Sequence, residues 1–255
     1  MLRDAWLIFR RDITLSLRNP AWIAIGLLQP ILYLFLFGPL LEPIIESTPG
    51  FPAGNAWAIL TPALIVQLAL FGSMFVGYAL LADLRSGVVE RLRVTPANRL
   101  SLLLGKVVAN ALQTVFQSVL IIALTLVVFD LQAPPGGIVL CLVIATLLAI
   151  ALTSASYALA LRMKSEEAFS GTLQTVLMPV LLLSGIFLPI TTGLAPDWLY
   201  TISRINPFTH IVDAGRATFR GDLGSDALFT GGVVLLVLTA ICLWWGARTF
   251  QRDNA

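Results

Sequence analysis

The sequence predicts an all-α integral membrane fold, with six transmembrane helices and a helix lying in the membrane interface ahead of them. Three observations lead there. The composition is too apolar for water, six long runs carry no charge, and the basic residues gather in alternate connections.

Of the 255 residues, 58% are hydrophobic and 12% are charged, against about 25% charged in an ordinary soluble domain. A soluble chain of this length needs a charged surface, and these charges are too few and too clustered to make one. The formal net charge of +2 gives no reason to expect nucleic acid as a partner. Cys141 and Cys242 each fall within a long apolar run, where a thiol acts as a small packing residue. Their spacing is neither a metal motif nor a disulfide framework. The single histidine, His210, excludes a multi-histidine metal site. The N-terminus does not read as a secretory signal, because the first apolar run, 21–41, is longer than the roughly 7–15 residues of a signal core and ends in Gly38-Pro39-Leu40-Leu41-Glu42.

A helix crossing about 30 Å of hydrocarbon takes about 20 residues. Uncharged runs of that length lie at about 21–41, 58–82, 107–129, 138–161, 172–193 and 227–247. Backbone groups in lipid must bond within the segment, so the runs are expected as helices. Pro179 and Pro189 fall in the fifth, which is expected to be kinked or broken. The whole chain, 1–255, reads as one transmembrane domain. Thirteen of its sixteen Lys and Arg residues precede the first span, follow the sixth, or lie between spans two and three and spans four and five. That bias puts both termini in the cytoplasm.

Three segments are not spans. Over 1–19, Leu2, Trp6, Phe9, Ile13 and Leu17 recur at spacings of three and four, which makes one apolar stripe. Arg11 and Arg18 lie away from it, so the segment fits an interfacial helix with cations toward phosphate. A merely basic tail is the alternative. The connection 83–106 is the most charged stretch, and Gly87 and Pro96 bracket a short turn bearing Glu90, Arg91 and Arg93. Composition does not decide between a docking surface and a solvated positive loop. In the external segment 194–226, Asn206-Pro207 is a helix start, a capping side chain followed by proline at the first helical position. Phe208, Ile211, Val212, Gly215 and Phe219 share one face of the helix that follows, and Asp213, Arg216 and Arg220 share the other. Such a helix lies on, or dips into, the outer leaflet.

No Asp, Glu, Lys or Arg occurs inside the six runs. Ion-coupled transporters usually bind their ion to ionisable groups near the midplane. The chain also lacks the phosphate-binding loop Gly-x-x-x-x-Gly-Lys-Ser/Thr, since Gly105-Lys106 is followed by Val107. No nucleophile elbow, zinc motif or intramembrane carboxylate pair is visible, so no catalytic residue is expected. Energy for uphill transport would come from another chain. Asn110, Gln113 and Gln117 share one face of the third run, and Gln67 and Gln174 lie inside the second and fifth. Interhelical hydrogen bonding and substrate contact are both open for these amides. Ala69, Ser73 and Gly77 form a small-residue face for close packing against a helix of this chain or of a second copy.

The most specific stretches are Glu90-Arg91-Leu92-Arg93-Val94-Thr95-Pro96, Ser165-Glu166-Glu167-Ala168, Leu183-Ser184-Gly185-Ile186-Phe187-Leu188-Pro189 and the run from Arg204-Ile205-Asn206-Pro207-Phe208 to Gly215-Arg216. With the order of segments, they resemble the ABC-2 type permeases, and most of all the daunorubicin-resistance permease group. The resemblance implies a half-transporter: a bacterial inner-membrane exporter subunit that pairs with a second permease copy, identical or not, and with ATP-binding cassette subunits that carry ATP and Mg. It implies a coupling helix after span two, with Glu90, Arg91, Arg93, Glu166 and Glu167 at the ATPase contact. It makes Gln67 and Gln174 candidates for lining the substrate path, and Asn206, Pro207 and Phe208 part of an external cap. No cofactor is expected on this chain. The cargo implied is amphiphilic or lipophilic; an autonomous secondary transporter or channel is the alternative.

Overall fold

The structure, a computed structural model, describes residues 2–18, 20–47, 55–86 and 99–252. Among the described residues there are ten helices and no strand: α1 Leu2–Arg18, α2 Pro20–Ser47, α3 Ala56–Met74, α4 Gly77–Arg85, α5 Arg99–Val128, α6 Pro135–Met163, α7 Glu166–Leu183, α8 Asp197–Ser203, α9 Pro207–Arg220 and α10 Asp226–Arg252. Five stretches are long and apolar enough to cross a membrane: Ala24–Ile45, Ala56–Arg85, Leu103–Val128, Pro135–Met163 and Asp226–Gln251. The chain is a multi-pass membrane protein.

α3 is the central element. It packs against α2, α5, α6 and α9, and every residue from 56 to 70 is buried. Of the most apolar part of the α3–α4 stretch 72% is buried, against 22% in α2 and in α10. The outer helices therefore turn apolar side chains such as Phe229, Leu236 and Val127 outward, as lipid rather than water permits. Clusters of Leu, Val, Ile and Ala hold α3, α6, α7 and α9 together on one side of α3, and α2, α3, α5 and α6 on the other.

The second span is not one continuous helix. It breaks at Phe75–Val76, which frees backbone groups that have no water to bond. Ser156 of α6 meets both sides of the break: its hydroxyl donates to the Met74 carbonyl at 2.6 Å and accepts from the Gly77 N–H at 2.9 Å. Gly77 lies so near the Phe169 ring and the Ser156 hydroxyl that a Cβ would overlap them. The Ala69–Ser73–Gly77 face thus packs within this chain.

Two expectations change here. The fifth predicted span, 172–193, is helical only to Leu183, and α7 begins earlier, at Glu166. Gly185 adopts φ +69°, a left-handed conformation that ends the helix. The carbonyls at and just beyond the end of α7 find donors on residues 206–216: Asn206 Nδ2 to Val180 O at 2.7 Å, Thr209 Oγ1 to Leu183 O at 2.9 Å and Arg216 to Gly185 O at 2.6 Å. Helix α9 does not simply rest on the outer face. It is packed among α3, α6 and α10, and Gly231 of α10 comes so close to the His210 carbonyl that a Cβ there would overlap it.

Arg216 therefore does not share an exposed polar face with Asp213 and Arg220. It is 1% exposed, donates to Ile59 O at 3.2 Å as well as Gly185 O, and lies 3.7 Å from Asp213, which Arg204 also holds at 2.7 Å. Burial lowers its pKa to about 10, with Asp213 opposing, so it stays protonated at neutral pH. Arg216→Met should cost roughly 3 kcal/mol, because two buried carbonyls lose a charged donor. Thermal unfolding in mild detergent measures this; an unchanged midpoint would mean that Arg216 is not what anchors α9.

Candidate functional site

A cavity of about 890 Å³ opens between α1, α2, the α3–α4 break and α5, with Tyr157 of α6 at its back. Its wall is mixed. Phe71, Phe75 and Tyr78 form a ladder of nearly parallel rings, with centroids 5.9 and 6.0 Å apart. Their spacing of four and three residues keeps the rings on one face across the α3–α4 break. Gln67 lies one turn before Phe71 on the same helix, and Gln29, Asn110, Gln113 and Gln117 also line the cavity.

At the α1 end lies a charge cluster. Lys106, only 6% exposed, donates to Asp83 of α4 at 2.9 Å and lies 3.8 Å from Asp12 of α1. The Tyr157 ring is 5.9 Å from its ammonium. The predicted runs excluded both Asp83 and Lys106, but the helices extend past those runs and carry the two groups into the span. The uncharged interior expected from the runs therefore needs correction: it holds a buried cation, neutralised from α4 and α1. A signal for Lys106 did exist in the sequence. It precedes Asn110, Gln113 and Gln117 by four, seven and eleven residues, which is one helical face.

The amides divide by use. Asn110 Nδ2 donates to Ser73 of α3 at 2.9 Å and to Thr153 of α6 at 2.7 Å, so it joins three helices. Gln113 accepts a long 3.5 Å contact from Ser16 of α1. Gln67 is different. It is 1% exposed, and neither atom of its amide has a hydrogen-bond partner among the described residues. Gln174, its companion in the sequence reading, lies on the exposed side of α7 and donates to Ser170 at 3.2 Å; the structure does not bring the two together.

The other predicted site residues fall at two ends. Glu90, Arg91 and Arg93 lie outside the described residues. Glu166 pairs with Arg85 of α4 at 3.1 Å, while Glu167 is exposed beside it, in a first turn capped by Ser165. Asn206 caps α9 by accepting from Phe208 N–H at 3.1 Å, with Pro207 opening the helix. Cys141 and Cys242 are free and buried.

Residues 3–219 match the ABC-2 type transporter family. The chain belongs to the ABC-2 type transporter family. Its relatives carry permease names. It is 27% identical over 232 residues to the ycf38 transport permease of Cyanophora paradoxa, covering 89% of this chain and 79% of that one. It is 26% identical over 234 residues to the daunorubicin resistance ABC transporter permease protein DrrB1 of Streptomyces coeruleorubidus, covering 89% and 79%. With a probable multidrug ABC transporter permease, YbhR of Escherichia coli K12, it shares 27% identity over 183 residues, 70% of this chain and 48% of the relative.

In this ABC-2 permease, Asp12 is the titratable member of the charge cluster that lies outside the spans. Burial raises its carboxyl pKa above the ordinary 3.8, and the Lys106 and Arg11 charges only partly offset the shift. The folded state therefore binds that proton more tightly than the unfolded chain does. The stability so contributed is full below pH 3.8 and is lost as pH rises through the raised value. Asp12→Asn removes the buried charge, and Lys106 keeps Asp83 as its partner. The variant should match or exceed the parent's melting temperature at pH 7, with the gap closing toward the ordinary carboxylate range. A variant less stable than the parent at pH 7 would mean that the Lys106 attraction outweighs burial.

Proposed function

We propose that this permease is one half of an exporter that moves an amphiphilic or lipophilic cargo out across a bacterial cytoplasmic membrane, driven by ATP and Mg on a separate ATP-binding cassette subunit. A second permease copy, identical or not, completes the membrane unit. In this reading α7 and the extended stretch after it act as a sixth crossing, both termini are cytoplasmic, and Asn206, Pro207 and Phe208 belong to the external cap. Glu90, Arg91 and Arg93 meet the ATPase, with Glu166 and Glu167 nearby. The names of DrrB1 and YbhR support a drug-like cargo.

The observation that carries the reading is the mechanical position of α4. This helix runs from the cavity's ring ladder straight into the segment that bears Glu90, Arg91 and Arg93. Two ion pairs hold its end: Asp83 to Lys106 of α5, and Arg85 to Glu166 of α7. A push on the connection would move α4, and through these pairs α5 and α7, against the cavity. ATP-driven closure of the partner subunits supplies that push; the permease pair opens outward and cargo leaves past the cap.

A second reading draws on the Asp12–Lys106–Asp83 cluster, an ionisable group facing a cavity, which is what an autonomous ion-coupled transporter needs. Purification from native membranes separates the two. An ATP-binding cassette protein should co-purify with the tagged permease and be lost when Arg91 and Arg93 are both changed to Glu. No ATPase in any native preparation would favour the ion-coupled reading.

The Arg85–Glu166 pair gives a finer check. Its side chains are 62% and 39% exposed, so its worth in stability is small, at most about 1 kcal/mol. Arg85→Glu should leave the melting temperature nearly unchanged yet lower cargo-stimulated ATP hydrolysis several-fold, and adding Glu166→Arg should restore it. Equal hydrolysis in all three forms would remove the pair from the coupling route.

A further inference from the structure

Gln67 is the most anomalous group in the bundle. A primary amide 1% exposed, in the most deeply buried helix, has two donors and an acceptor with no partner among the described residues. Buried polar groups are paired in the large majority of cases, and an unpaired one lowers stability. A role in joining helices does not explain Gln67, because it joins nothing; Asn110 shows what a joining amide looks like here. Gln67 lies in the wall of the cavity.

The wall around it narrows the kind of ligand. The cavity's volume of about 890 Å³ falls within the roughly 300–1,000 Å³ of drug-sized sites. One flank is the Phe71–Phe75–Tyr78 ladder, a surface for an apolar or planar body. The polar flank has amides, Gln29 and Gln113 beside Gln67, and amides offer donor and acceptor together without charge. The ionised groups at the α1 end serve one another: Lys106 lies between Asp12 and Asp83, and the Arg11 charge also favours ionised Asp12. A charged head entering here would meet no unpaired countercharge and would lose its hydration without compensation.

We infer that this cavity, inside a single permease chain, binds an uncharged amphiphile whose hydroxyl, carbonyl or amide head is hydrogen-bonded by Gln67 and whose apolar body lies along the ring ladder. The inference rests on the exporter reading only in treating that molecule as cargo. Binding itself requires neither ATP nor the ATPase, so a failure to find the partner subunit leaves it standing.

The test uses the full-length permease in lipid nanodiscs without ATP. The probe is an alkyl glucoside carrying a photoreactive diazirine in its chain; two probes with the same chain but a sulfate or a trimethylammonium head serve as comparisons. The glucoside should label cavity segments of α3 and α5 saturably, with competition by unlabelled alkyl glucoside, and the ionic probes should not saturate there. Gln67→Leu should weaken saturable labelling roughly fivefold, the loss of about one hydrogen bond, and Gln174→Leu should leave it unchanged. Gln67→Leu should also raise the melting temperature of the probe-free protein, because leucine needs no partner in that position. Opposite signs in binding and stability are what a structural amide would not produce. Three results would overturn the inference: unsaturable labelling spread over the outward faces of α2 and α10, equal saturation by an ionic head, or undiminished labelling in Gln67→Leu.

Discussion

Lipid offers no hydrogen bonds, so every departure from helical geometry within the bundle has to be met by a side chain from another helix. At the break between α3 and α4, Ser156 supplies both a donor and an acceptor. Around the end of α7, Asn206, Thr209 and Arg216 donate to the carbonyls of Val180, Leu183 and Gly185. Both irregularities matter to the site. The first falls within the Phe71–Phe75–Tyr78 ladder; the second accompanies the packing of α9 among α3, α6 and α10. Remove the pairing and neither bend is affordable in hydrocarbon.

The same constraint governs charge. Lys106 and Arg216 are both nearly inaccessible, at opposite ends of the bundle, and neither is alone. Lys106 has two carboxylates, and Arg216 has two carbonyls and Asp213. Arginine suits its position because its planar fork can reach Ile59 O and Gly185 O from one guanidinium. Lysine suits the cavity because a compact ammonium fits between Asp83 and Asp12 and beneath the Tyr157 ring. Each cation ties together helices far apart in sequence, and so orders the elements through which a transporter of this family would have to move.

The polar residues inside the spans therefore do different work. Ser73, Asn110 and Thr153 bond one another and fix the packing of α3, α5 and α6. Gln67, less than two turns before Ser73 on the same helix, bonds to none of them and lies buried in the cavity wall. Ser73 is bonded at a helix contact, while the Gln67 amide has no partner among the described residues.

Much of this was legible in the residues alone. The membrane class, the first four runs and the last, the Asn206-Pro207 helix start and the family resemblance follow from composition, run length and local capping chemistry. All of these depend on covalent neighbours, which a sequence displays directly. What only the tertiary structure decided is which polar groups meet. Arg216 looked like a surface cation on an amphipathic helix because its partners, Ile59 and Gly185, lie 157 and 31 residues away. The prolines of the fifth run announced a kink or break but not its place, because the donors around Leu183 and Gly185 come from residues 206–216. Gln67 and Gln174 looked alike because hydropathy records how polar a side chain is and not whether anything answers it. Burial and pairing are properties of the packed bundle, and folding alone settles them.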